Sequence, residues 1–504
     1  MRLKNIVYFL LILLPLLFIG NVNTSSSGIL SNVVQVSAGY YHTCALLSNG
    51  QVACWGYNWF GQLGVGYAIT EPPYGIPYPV LVLGIDGEGI LSDVVQISAG
   101  GDHTCVLLSN GQVACWGWNW FGQLGTGDEI NRYIPTLVLG INGEGILSDV
   151  VQISTGGDHT CAILSSGSVV CWGGNWAGQL GVGYATTKEP FGIPYPVLVL
   201  GIDGEGTLTD VIQIATGYAH TCALLSNGSV ACWGWNYFGQ LGTGDYEDKY
   251  VPTLVKGING EGLLTDVIQI SAGFHHTCAL LSNGQVACWG DNSVGQLGTG
   301  DTNNRLVPTL VKGINGEGIL TDVVQISAGG YHTCALLSNG SVACWGQNWH
   351  GQLGTGDTNN RLVPTLVKGI NGEGILTNVI EISVGHYHTC ALLSNGQVAC
   401  WGWNRFGQLG TNDTIDRYVP TLVVGFELPG LLMYKLIYKI IPIPHYVILT
   451  LPEQFTADRI ITIYGITLDG DIIVLSKKDI LYLDDKNIVV RVNTPLQYIH
   501  ILIL

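Results

Sequence analysis

HTCALLSNGQVACWGYNWFGQLG, residues 42–64, decides the architecture, because its pattern returns six more times. The block restarts at His103, His159, His220, His276, His332 and His388, at steps of 61, 56, 61, 56, 56 and 56 residues. Units this short cannot bury a core alone, so near-equal repeats imply one stacked or closed array. The sequence around each block reads as four short strands. In the second unit Val94–Ser98 is β-branched, Thr104–Leu108 and Gln112–Trp116 flank Ser109-Asn110-Gly111, and Pro135–Leu139 starts on a proline. Four antiparallel strands per unit, repeated radially, describe a propeller blade, so an all-β seven-bladed β-propeller is expected over 28–425.

The block also places all 14 cysteines, two per unit. A two-residue Asn49-Gly50 loop would set Cys44 and Cys54 out of register. A three-residue loop Ser48-Asn49-Gly50, with Gly50 in the left-handed conformation, puts Leu47 opposite Gln51 and Cys44 opposite Cys54. The pair is then non-hydrogen-bonded, where side chains come closest. Cross-strand disulfides are expected at Cys44–Cys54, Cys105–Cys115, Cys161–Cys171, Cys222–Cys232, Cys278–Cys288, Cys334–Cys344 and Cys390–Cys400. Buried thiols are the alternative. A zinc site is disfavoured, because two Cys and one His leave each unit a ligand short. Each small closed loop would contribute about 2–3 kcal/mol on chain-entropy grounds.

The repeated W-G-x-N-x-x-G-Q-L-G, at 55–64, 116–125, 172–181, 233–242, 289–298, 345–354 and 401–410, resembles the regulator of chromosome condensation 1 repeat family. The preceding A-G-x-x-H-T matches as well. The resemblance implies a seven-bladed propeller, and the Cys-paired form is similar to the family's secreted bacterial branch. That branch implies protein binding without catalysis. The exchange-factor and chromatin roles of nuclear members do not suit an acidic, exported chain.

The ends and the composition bound the function. Arg2 and Lys4 precede an apolar run from Ile6 to Ile19, which reads as a secretory signal over 1–24. A secreted or cell-surface protein is expected, and an even cysteine count suits that compartment. The net charge of −17, with 19 Lys and Arg, argues against nucleic acid as partner. Residues 426–504 lack cysteine and read as a β-rich module that faintly resembles immunoglobulin-like domains, with strands at 446–451, 460–464, 471–475 and 487–492. Lys435, Lys439 and two prolines exclude a membrane span at 433–444.

Constant positions read as scaffold: the His as a fixed partner for turns, Trp55 and its equivalents as inter-blade packing. Function is expected where the copies differ. The pairs before H-T-C supply Tyr40, Tyr41, Asp102, Asp158, Tyr218, Phe274, His275, Tyr331, His386 and Tyr387, a mixture typical of binding loops. The loops after W-G supply Trp59, Trp120, Trp176, Tyr237 and Trp349. Units 1 and 3 add five residues, around 71–78 and 189–195. The Asp/Asn-Gly-Glu-Gly loops offer too few oxygens for calcium. No nucleophile with a base and orienter stands out, so a monomeric, non-enzymatic propeller without metal or cofactor is expected. Its ligand is a protein, or alternatively a glycan bound by the Trp-rich loops.

Overall fold

The computed structural model describes residues 28–189 and 191–426 in full, and the backbone of six strands between 445 and 503. In the first unit β1 (Val33–Ala38), β2 (His42–Leu47), β3 (Val52–Tyr57) and β4 (Gly75–Leu81) lie side by side in that order, all antiparallel. Six further four-stranded sheets of the same order follow, at 94–137, 150–198, 211–254, 267–310, 323–366 and 379–422. They are blades 2 to 7 of a seven-bladed propeller. β2 and β3 are apolar on both faces and buried on both, since each blade is sandwiched between two others.

The β2–β3 hairpin has the bulged three-residue loop. Gly50 has φ +78°, and its N–H donates to Leu47 O at 2.9 Å. Cys44 therefore pairs with Cys54, and all seven cystines form with Cα atoms 4.1 Å apart. That spacing belongs to a non-hydrogen-bonded pair.

Blades are joined by side chains that reach across. Trp55 is fully buried, and its indole N–H donates to Gln408 O of blade 7 at 2.9 Å. Thr43 Oγ1 donates to the same carbonyl at 2.8 Å. The motif repeats around the ring, each Trp and Thr meeting the Gln carbonyl of the preceding blade. The repeated His does not serve turns, as the sequence had suggested. His42 Nε2 lies 2.9 Å from Thr104 Oγ1 of blade 2, and six equivalents run around to His388 on Thr43. The Thr hydroxyl hydrogen is committed to the Gln carbonyl, so the His must be the donor and carries its proton on Nε2. Nδ1 is buried without a partner in all seven. It rests on the glycine of A-G-x-x-H, where a Cβ on Gly39 would stand 2.9 Å from Nδ1 and 2.6 Å from Cε1 of His42. Burial holds His42 and five of its equivalents at a pKa of about 3, and pushes His332 down as well.

The innermost strands are also stitched. Gln35 accepts from Ile97 N at 2.9 Å and donates to Ile97 O at 3.3 Å. Gln96, Gln213, Gln269 and Gln325 repeat both bonds, and Gln152 repeats the first. At the seam between blades 7 and 1 the residue is Glu381. Its carboxylate accepts from the Val36 amide, but an ionised carboxylate has no hydrogen to give the carbonyl. The seam itself joins the first and last segments of the propeller. Leu30 N donates to Val423 O and Ile29 bridges Val424, as Leu91 does to Val82 and Ile90 to Leu83 within a continuous linker.

Beyond residue 444 six strands form two three-stranded antiparallel sheets. Four lie at or near the expected segments, and Ile480–Leu483 and Leu496–Ile503 are additional. Packing between these sheets, the segment 433–444 and residues 1–24 lie outside the described residues. Among the described residues no helix is long and apolar enough to cross a membrane.

Burial raises the Glu381 carboxyl to about 7, so the folded chain keeps that proton where the unfolded chain has lost it. The seam therefore weakens as pH rises from about 4.5 to 7. Glu381→Gln restores the missing donor. Thermal unfolding should show a gain of about 1 kcal/mol at pH 8, the size of one hydrogen bond, and little gain at pH 5. An equal gain at both pH values would contradict this account of the seam.

Candidate functional site

The β1–β2 turns and the loops after β3 emerge at the same end of the propeller. The repeat register arranges their variable residues in concentric rings about the axis. The first ring is Tyr40, Gly101, Gly157, Tyr218, Phe274, Gly330 and His386. Outside it come Tyr41, Asp102, Asp158, Ala219, His275, Tyr331 and Tyr387, then the residue after each W-G, then the rim at Trp59, Trp120, Trp176, Tyr237, Ser293, Trp349 and Arg405.

The first ring closes the axial channel. Phe274 stacks on Tyr218 at 4.3 Å and on His386 at 5.0 Å, and Tyr40 lies 5.6 Å from Phe274 and 5.1 Å from His386. Beneath this plug is a cavity of about 80 Å³ walled by small residues such as Ala38, Gly39 and Gly100. Both ring nitrogens of His386 and the Tyr40 hydroxyl are buried without hydrogen-bond partners. Burial lowers the His386 pKa to about 4 and pushes Tyr40 well up.

The next rings form an aromatic belt. Tyr41 packs edge-on against Tyr57 and Trp403, Tyr387 against Trp403 and His275 against Trp235, while His275 stacks on Phe238 at 4.6 Å. Tyr331 stacks on Tyr387. At the rim, Trp120 and Trp349 are each 61% exposed and Tyr237 67%. Trp59 falls to 38% because Tyr74, from the added segment of unit 1, packs on it at 5.3 Å. Trp176 is half-buried and turns inward, 6.1 Å from Tyr218 and 5.8 Å from Trp235.

Three carboxylates interrupt the belt: Asp291, which accepts from Gln296 Nε2 at 2.8 Å, and the pair Asp102 and Asp158. Asp102 accepts from Gln62 Nε2 at 3.0 Å, and Asp158 accepts from the Trp176 indole. Burial raises both carboxyls to about 7, and the charge of Asp158 adds to the rise at Asp102. The ion pairs of the propeller lie elsewhere. In five blades the loop before the outer strand holds an acid–base pair such as Asp128–Arg132 or Asp301–Arg305. These pairs and the aromatic residues Phe121, Phe238 and Phe406 were missing from the sequence-based site, whereas Trp118, Trp235 and Trp403 belong to the variable positions after W-G that the sequence singles out. The pairs were visible as G/N-D-x-x-x-K/R, absent from the two lengthened units. Among the described residues no three His, Cys, Asp or Glu converge as a metal site.

Comparison with known proteins accords with this architecture. The family profile described as an RCC1-like domain matches residues 20–277 and 148–438. The ultraviolet-B receptor UVR8 of Arabidopsis thaliana is 32% identical over 399 residues, 79% of this chain and 83% of the relative. The human E3 ubiquitin-protein ligase HERC2 is 32% identical over 362 residues, 71% of this chain but 7% of the ligase. Human WBSCR16 superposes with a TM-score of 0.61 at 25% identity, covering 74% of this chain and 94% of that one. Prp20p of Saccharomyces cerevisiae, described with its binding to Gsp1p and histones, does so at 0.59 and 21%, covering 79% and 90%.

The buried carboxyls make the face pH-dependent. Unfolded, Asp102 and Asp158 ionise near 3.8; folded, they hold their protons to about 7, so each lowers stability as pH rises through that window. Asp158→Asn should stabilise the propeller at pH 8 and leave it unchanged at pH 4. Calorimetry at the two pH values checks this, and a loss of stability at pH 8 would contradict it.

Proposed function

This chain belongs to the RCC1-like domain family, and from that premise we propose that it is an exported, non-catalytic propeller that holds a protein partner against its aromatic face. The observation that carries the reading is the division of labour among the repeats. The His, Thr and Trp side chains and the Gln carbonyl that bond each blade to the next are constant, whereas the residues on the ringed face differ from copy to copy. Exposed Trp120, Tyr237 and Trp349 supply large, stiff contact area with little rotamer entropy to lose, the pattern of interface anchors. The cystines and the signal-like start support export. The six C-terminal strands supply a separate module for attachment.

A second reading is glycan binding, favoured by the same exposed indoles, whose flat apolar faces suit stacking. One set of experiments separates the two. A photo-crosslinker at Trp120 or Trp349, in the full-length chain in its producing cells, should trap one protein. The same probe at Asn110, on the opposite face, should not. Trp120→Ala with Trp349→Ala should weaken that partner at least tenfold. Equal cross-linking from both faces would overturn the protein reading, and loss of glycan-array binding in the double variant would establish the glycan one.

A further inference from the structure

A second feature recurs in every copy, on the face opposite the rings. Each innermost strand begins there, tied to the hairpin loops: Val33 N donates to Gly396 O at 3.1 Å and Ser48 N to Asn32 O at 2.8 Å. In all seven blades the second residue of that strand drops out of the ladder as a β-bulge, Val34 in blade 1. It is valine in four blades and isoleucine in three, and it is 52–58% exposed in every one. A bulge re-aims its side chain away from the blade. The strands surround the axis, so the seven side chains form an apolar collar at this mouth of the axial channel. Between blades 2, 3 and 4 a cavity of about 690 Å³ opens there, lined mainly by Val95, Val151, Ile212, Leu107, Ile163 and Leu164.

The scaffold does not account for this collar. Val33 and Val36, on either side of it, are buried in the core, and Gln35 stitches the neighbouring strand, whereas Val34 faces water. Contiguous exposed apolar surface of this kind marks a contact. Its surroundings are acidic. Just outside the collar stand Asp93, Asp149, Asp210, Asp266 and Asp322, all exposed, with Asn32 and Asn378 in the other two blades. Neither these positions nor the hairpin loops at 48–51 and their equivalents carry Lys or Arg. Farther out the linkers add six glutamates, Glu88 and its equivalents, against Lys256, Lys312 and Lys368. The complement of such a mouth is an apolar chain that carries positive charge.

We propose that the collar seats residues 431–443 of this same chain. The segment reads LLMYKLIYKIIPI, with lysines at Lys435 and Lys439 and no acid. The propeller ends on the face where the collar lies: Val424 bridges Ile29, Gly425 N donates to Gly28 O, and Phe426 packs on the seam core around Leu30 and Val33. The length of chain suffices. In each of the other six blades twelve residues, such as 82–93, cross this face from an outer strand to the next inner one. Twelve residues beyond Leu422 end at Tyr434, so the apolar stretch reaches the mouth where its lysines begin. Leu436, Ile437, Ile440 and Ile441 bury against the collar, and Lys435 and Lys439 meet the aspartate ring. The tether makes the contact intramolecular, which raises its effective concentration without adding any contact. The ringed face stays free, and the inference does not depend on what binds there.

The test places a benzophenone amino acid at Val95, at Ile212 or, as control, at Trp120 on the ringed face of the full, disulfide-bonded chain. After irradiation of the purified protein, peptide mass spectrometry should find positions 95 and 212 joined to peptides from 427–444, within one chain and with a yield independent of protein concentration. Position 120 should not be joined to them. Lys435→Glu with Lys439→Glu should cut the yield at least threefold, and Leu436→Asp with Ile440→Asp at least tenfold. Unfolding midpoints near that of the parent certify these variants. Nile red, a neutral apolar dye, should bind the Leu436→Asp, Ile440→Asp variant at least fivefold more than the parent. Val95→Thr with Ile212→Thr in that background should remove the gain. Cross-links that join two copies would assign the collar to self-association and overturn the proposal. Products lacking residues 427–444, equal yield from position 120, an unchanged yield in either folded variant, or equal dye binding by variant and parent would overturn it as well.

Discussion

The Gln backbone carbonyl of each G-Q-L-G turn is the point on which the propeller hangs. It accepts the indole N–H and the threonine hydroxyl of the next blade at once, and that hydroxyl accepts from the histidine of the blade to which the turn belongs. Seven copies close on themselves, with blade 7 bonded to blade 1 by the same atoms. The arrangement demands neutral histidine on the Nε2–H tautomer. It also demands a glycine under the ring and a tryptophan of fixed depth. One constraint therefore explains why His, Thr, Trp, Gln and several glycines recur in every copy.

A scaffold held together by inward and sideways contacts leaves the ringed face free to vary. Substitutions there change what the face presents without touching the His–Thr–Gln carbonyl–Trp relay between blades. The axial plug of Tyr40, Tyr218, Phe274 and His386 shows the consequence, because aromatic residues from four different blades share a space that glycine in three others keeps open. Relatives of this chain place the same framework in proteins as unlike as a plant photoreceptor and a human ubiquitin ligase.

Much of the fold was legible in the sequence, because the information is local. The cystine pairing follows from a ten-residue separation and one hairpin loop, and the structure has that register. The histidine role was not legible, since its partner lies 62 residues away in the next blade, and nothing in a single unit points there. Glu381 stands out in the sequence as the one acid in a row of glutamines. Its meaning needs the inter-strand register that makes it the seam. The variable positions were readable as a set, but not their depth. Trp176 and Trp120 occupy the same place in the repeat, and only the neighbouring Gly174 and Ala177 let one of them turn inward. Asp102 and Asp158 read as polar contact residues, whereas their burial beside tyrosine is a property of the assembled ring.

The most direct test of the closed relay is long-range ¹H–¹⁵N correlation of the imidazole rings in the folded protein, followed from pH 8 to pH 4. Seven histidines should remain neutral over the whole range, with the proton on Nε2 and Nδ1 bare. Observation of these rings on the Nδ1–H tautomer, or titrating near the ordinary value of about 6.5, would contradict the account.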